Sequence, residues 1–185
     1  MKFLKMNKSS GFTLIEVLVA IFIVGLLSSI LITSWRKNEK QYQLKIAVQK
    51  IVQDIRKAQN FALSGKQRYW PPTGRMIVPE SYGIHFDKGN PRFYFIYGDY
   101  IGNDGYQPPE DLAETNTWIE EGIEIDSLGG NILDVFFSIP DGFTGFFPSA
   151  PGGVATIVIK RTGKTCPSRY CKNIIIKNTG EISIQ

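Results

Sequence analysis

Two groups near the start of the chain could meet as an acid–base pair. One is the carboxylate of Glu16; the other is the amine that Phe12 would carry if the chain were cut after Gly11. Between residues 12 and 35 Glu16 is the sole charge. A carboxylate in such an apolar span costs roughly 2.5–3.5 kcal/mol near the centre of a membrane helix, and less near an end. Burial alone would also push it toward its neutral form. The segment holds no cation, so the partner must come from elsewhere. A new amine one helical turn before Glu16 would serve, within one chain or across to a neighbour stacked with an axial offset. A pair removed from water adds little stability, but it can fix the stagger between neighbours.

The element that must position this pair is the apolar stretch itself. About twenty apolar residues match the length a helix needs to cross the hydrocarbon core of a bilayer. Lys2, Lys5 and Lys8 precede it, which predicts a cytoplasmic N-terminus. No A-x-A-like cleavage site follows, so the stretch reads as a retained anchor rather than a secretory h-region. Beyond Arg36, Leu44, Val48, Ile51, Ile55, Ala58 and Ala62 recur every three or four residues and draw one apolar stripe, with Lys45, Lys50, Asp54, Arg56 and Lys57 opposite. Gly65 reads as the helix stop. A helix from 12 to about 64 would run roughly 80 Å. A free coiled coil is the alternative for its second half.

The string "KSSGFTLIEVLVAIFIVGLL" resembles the N-terminal signal of type IV pilins and type II secretion pseudopilins: a basic leader, a glycine, Phe-Thr-Leu-Ile-Glu, then an uninterrupted apolar helix. The resemblance implies that a prepilin peptidase cuts after Gly11 and methylates the amine of Phe12, and that Glu16 is the assembly carboxylate. Many members carry a proline late in this helix; here Thr33 stands there, after Ser28 and Ser29, and these bend a helix only mildly. Gly25 is the weaker place for the helix to unwind.

After "RYWPPTGRMIVPE" the texture changes. "SYGIHFD", "RFYFIYGDYI", "GIEID", "ILDVFFSI", "ATIVIKR", "NIIIKN" and "EISIQ" read as strands separated by Gly- and Asn-containing turns. The amphipathic helix needs an apolar partner, and a sheet with one apolar face would provide it. The fold class is therefore α+β, with an antiparallel sheet on the second half of a long N-terminal helix. "VQKIVQDIRKAQNFALSGKQ", "VFFSIPDGFTG" and "NIIIKNTGEISIQ" are similar to the H-type minor pseudopilin and related minor pilins; the insert 97–126 has no counterpart. The organisation expected is a leader (1–11), a membrane and fibre-core helix (12–35), an amphipathic helix (36–65) and a β-rich head (66–185).

Other residues in the head weigh against catalysis. His85, the single histidine, sits in a strand pattern; the serines lack a G-x-S-x-G context; no phosphate loop or metal-ligand spacing appears. Asp99, Asn103, Asp104, Glu110 and Asp111 offer oxygen ligands for calcium, but an Asp/Asn/Gly turn explains the same residues. No cofactor and no metal is expected. Cys166 and Cys171 would close a short disulfide loop if this part lies outside the cytoplasm, or else stand as two thiols.

Charge is segregated along the chain. Residues 36–75 hold ten Lys/Arg and two acids, 80–141 hold thirteen acids and two bases, and 154–185 hold six bases and one acid. That layout suits head-to-tail contact between copies, with solvated faces as the plain alternative. Lys160, Arg161, Lys164, Arg169 and Lys172 cluster around the cysteines with Tyr170 among them, a pattern that could bind DNA.

The sequence thus reads as a minor pilin or pseudopilin of a type IV pilus or a type II secretion pseudopilus, not an enzyme. Its partners would be other such subunits, the prepilin peptidase, an inner-membrane assembly platform and, before assembly, lipid. It would cross the inner membrane once, with its head outside, and then join a periplasmic or extracellular fibre. Two other readings compete: a DNA-binding minor pilin acting through the basic loop, and an enzyme that uses the N-terminal segment only as a tether.

Overall fold

The computed structural model describes residues 11–102 and 105–185, excluding the side chains of 30–38 and 40. The leader up to Ser10, Asn103 and Asp104 of the acidic loop, and the Thr33 side chain lie outside the described residues. The chain divides into two units, Met1–Lys40 and Gln41–Gln185. Helix α1, Leu14–Leu63, contributes to both.

In the first unit every described side chain of α1, as far as Ser29, is exposed. Ser28 and Ser29 donate their hydroxyls to the carbonyls of Val24 and Leu26, each at 2.7 Å. The helix nevertheless continues unbroken through Gly25, both serines and position 33.

In the second unit the stripe expected from the spacing is the buried face. Leu44, Val48, Ile51, Ile55, Ala58 and Ala62 are all buried, joined by Ala47. The helix ends in a Schellman turn. Gly65 takes φ +56°, its N–H reaches the Ala62 carbonyl at 3.0 Å, and the Lys66 N–H reaches that of Phe61 at 3.1 Å. A residue with a Cβ is disfavoured in that conformation, which is why glycine stops the helix here.

The stripe is received by two antiparallel sheets, not one. A short ribbon, β1 (Arg68–Trp70) with β2 (Arg75–Ile77), follows the helix. Next come β3 (Ser81–Asp87), β4 (Phe93–Asp99), β5 (Leu112–Trp118), β6 (Ile123–Ser127), β7 (Ile132–Ser138), β8 (Thr144–Phe147), β9 (Val154–Arg161), β10 (Cys171–Lys177) and β11 (Ile182–Ile184). The five-stranded sheet has the order β5-β4-β3-β7-β8 and the four-stranded sheet β11-β10-β9-β6. Every strand read from the sequence is present. Ribbon β1–β2, β5 (within the insert) and β8 are additions.

Tyr82, Ile84, Phe86, Tyr94, Ile96, Val135 and Phe137 from one sheet, and Ile123, Ile125, Ile157, Ile159, Ile174 and Ile176 from the other, form a single core with the helix stripe. Tyr94 brings a hydroxyl into this core and donates it to Asp54 Oδ2 at 2.7 Å. Burial and that bond raise the phenol pKa, so the donor stays protonated.

The expectation of a single apolar sheet face is corrected. The opposite face of the five-stranded sheet carries Phe93, Phe95, Tyr97 and Phe136, with Tyr106 packed on Phe95 and Tyr97. In "RFYFIY" both alternating sets are apolar, as in strands covered on both faces.

Candidate processing and assembly site

Residues 11–13 have no regular structure and are exposed; α1 begins immediately after them. Thr13 is the N-cap. Its carbonyl accepts the N–H groups of Glu16 at 3.1 Å and Val17 at 3.3 Å, and its Oγ1 shares the Glu16 N–H at 3.4 Å. The hydroxyl thus reinforces a first-turn N–H that the carbonyl of the same residue also pairs. Thr13-x-x-Glu16 has the spacing of a capping box, a signal for the helix start that the sequence itself carries.

Glu16 therefore stands in the first turn of the helix. The partial positive charge of a helix N-terminus favours a carboxylate there, which lowers the cost of holding one beside so much apolar surface. Phe12 is 81% exposed, and Leu14, Ile15, Leu18, Ile21, Phe22 and Val24 are all more than half exposed. At 3.6 residues per turn, the helical members of this set and the exposed Val19, Ile23, Leu26 and Leu27 together surround the helix on every side.

Among the described residues, no helix is long and apolar enough to cross a membrane. The side chains of 30–38, the end of the apolar run, are not among those described.

Residues 6–32 match the family model of the prokaryotic N-terminal methylation motif. The chain thus carries a type IV pilin-like prepilin signal, and Gly11, Phe12 and Glu16 all fall inside the matched span. The signal points to a processed structural subunit. No curated protein and no solved structure matches the chain.

Away from the prepilin signal, the structure sorts the five basic residues of the C-terminal cluster. Cys166 and Cys171 are joined, with an S–S distance of 2.02 Å. Beside this loop the cations of Arg161, Lys164 and Arg169 stand 5.1, 5.4 and 4.9 Å from the centre of the Tyr170 ring. Arg169 also donates to the Tyr170 hydroxyl at 2.7 Å. That bond, with the charges of Arg169, Lys164 and Arg161, lowers the phenol pKa. Lys172 is exposed on β10. Lys160 is drawn away, to Asp126 at 2.5 Å and Glu124 at 3.6 Å on β6. The bond to Asp126 raises the Lys160 pKa.

These pairs modify the picture of alternating charge blocks. Lys66 and Arg68 of the first block both meet Glu114 of the second, at 3.0 and 3.1 Å, and Lys160 of the third meets Glu124 and Asp126. Part of the opposite charge is satisfied within one chain rather than left for a neighbour.

His85 is half-buried, with Nδ1 2.7 Å from Asp134 Oδ1 and its ring against Phe95 and Tyr106. In the acidic loop, Asp99 Oδ1 accepts the N–H groups of Ile101 and Gly102. The two oxygens of Asp111 accept those of Tyr100 and Gln107. Both carboxylates are thus engaged in holding turns. Among the described residues, no group of three or more His, Cys, Asp or Glu could hold a metal ion.

Proposed function

We propose that this chain is a minor pilin or pseudopilin, a structural subunit of a type IV pilus or type II secretion pseudopilus. The observation that carries the reading is the prepilin signal placed on a helix whose first described turns are apolar on all sides and uncovered. Such a surface needs an apolar environment. Lipid supplies it before assembly, when residues 12–35 cross the inner membrane once with the head outside the cytoplasm. Copies of the same helix supply it afterwards, in a periplasmic or extracellular fibre. The prepilin peptidase removes residues 1–11 and methylates the Phe12 amine, the assembly platform extracts the helix, and Glu16 pairs with that amine to set the stagger.

Intact mass of the membrane-extracted protein tests this reading. Loss of residues 1–11 with one added methyl group is expected; a retained leader overturns it. Glu16→Gln should be processed normally yet fail to enter fibres.

The convergence of Arg161, Lys164 and Arg169 on Tyr170 favours a second reading, a head that binds DNA through this loop. Binding in a gel shift that weakens steeply with salt, and that is lost in Lys164→Ala/Arg169→Ala, supports it. No shift at low salt removes it.

A further inference from the structure

We propose that Thr13 is a positioning residue for leader removal, because its cap holds the start of α1 downstream of the bond to be cut. The inference rests on the reading that the chain is cut after Gly11. The Gly11–Phe12 bond lies in exposed, irregular backbone one residue before the cap. A peptide bond within a helix has its carbonyl engaged four residues on and its faces shielded by the adjoining turn. A peptidase therefore has access to this bond only while the helix starts later.

The sequence offers the helix an earlier start. Ser9 and Ser10 are capping residues by type. A start capped by Ser10 would place Gly11 and Phe12 at the first two helical positions and engage the Gly11 carbonyl. Two features oppose that start. Gly11 is the poorest helix former after proline, and the Thr13 hydroxyl reinforces, at 3.4 Å, the bond that the Glu16 N–H makes to the Thr13 carbonyl when the helix begins after it. The same cap fixes Glu16 in the first turn, so one hydroxyl serves both the cut and the placement of the carboxylate. Leu14 and Ile15, the next two residues, have no side-chain acceptor that could replace it.

The test is the time course of leader removal from the full-length chain in membranes with prepilin peptidase, followed by intact mass. Thr13→Val keeps the shape of the side chain but removes the hydroxyl acceptor, leaving the carbonyl. Thr13→Ser and Thr13→Asn change the shape but keep an acceptor. Cleavage slower in Thr13→Val, by up to the roughly five-fold that losing a typical cap allows, with Ser and Asn close to the parent, is the expected result. Val cut as fast as Thr, or Ser and Asn as slow as Val, overturns the proposal while leaving the processing reading intact. A parent chain that keeps its leader defeats that reading instead.

Discussion

The Tyr97 ring lies directly over Gly83 across the β3–β4 pair, so close that a Cβ at position 83 would stand 2.4 Å from the ring. Phe136 covers Gly145 in the same way across β7–β8, where a Cβ would stand 2.2 Å from the ring. Glycine and aromatic alternate along one cross-strand row, and the rings roof the backbone of the sheet. Tyr97 is fully buried and packs against Tyr106 and Phe95, so it has little room to move. Gly83→Ala should therefore destabilise the head by about 2–3 kcal/mol through overpacking. Thermal melting of the purified chain reads this; an unchanged midpoint would mean that the ring swings away freely.

The stripe of α1 makes a contrasting prediction. Ile55 is fully buried in the core, whereas Lys50 is exposed on the opposite face. Ile55→Ala should cost about 2–5 kcal/mol, and Lys50→Ala no more than about 0.5 kcal/mol. Equal losses in denaturant unfolding would place the helix differently against the sheets.

That stripe was legible because the buried positions follow the helical period, from Leu44 to Ala62, and a glycine stands where the helix must stop. The longer strands were legible from runs such as "ATIVIKR" and "NIIIKN". Strand β5, "LAETNTW", was not, since its edge position demands few apolar side chains and its sequence is mostly polar. Strand β8, "TGFF", is short and contains the glycine that Phe136 requires. The prepilin signal was legible because its chemistry is local in sequence, from Gly11 to Glu16. The sorting of the basic residues was not. Lys160 and Arg161 are neighbours in the chain but point to opposite faces of β9, and only strand pairing shows which one meets Glu124 and Asp126.

The acidic loop should respond to pH. Asp111 is buried beside Asp99, and burial, reinforced by the Asp99 charge, raises its carboxyl pKa from 3.8 to about 6. The folded state therefore holds this proton more tightly than the unfolded chain does. The stability that follows is fully present below pH 4 and is lost as pH rises through about 6. Its size is at most about 3 kcal/mol. In Asp111→Asn the amide stays neutral throughout. The melting temperature of the variant relative to the parent should accordingly rise, by up to about 10 °C, between pH 4 and pH 7.5. A constant difference would show that the raised pKa is not linked to folding.

The last prediction concerns the C-terminal loop. The Cys166–Cys171 link spans five positions of sequence between β9 and β10. A loop so short contributes about 2 kcal/mol by restricting the unfolded chain, so Cys166→Ser/Cys171→Ser should lower the unfolding free energy by that amount. The loop also carries Arg169 and Tyr170, and the hydrogen bond from Arg169 is the first cause of the lowered Tyr170 pKa. If the link holds that pair in place, spectrophotometric titration of the parent should show one tyrosine ionising below the ordinary range. Tyr170→Phe should abolish this early component, and the double serine variant should move it upward. An early component unchanged in the double serine variant would show that β9 and β10 position the cluster without the disulfide.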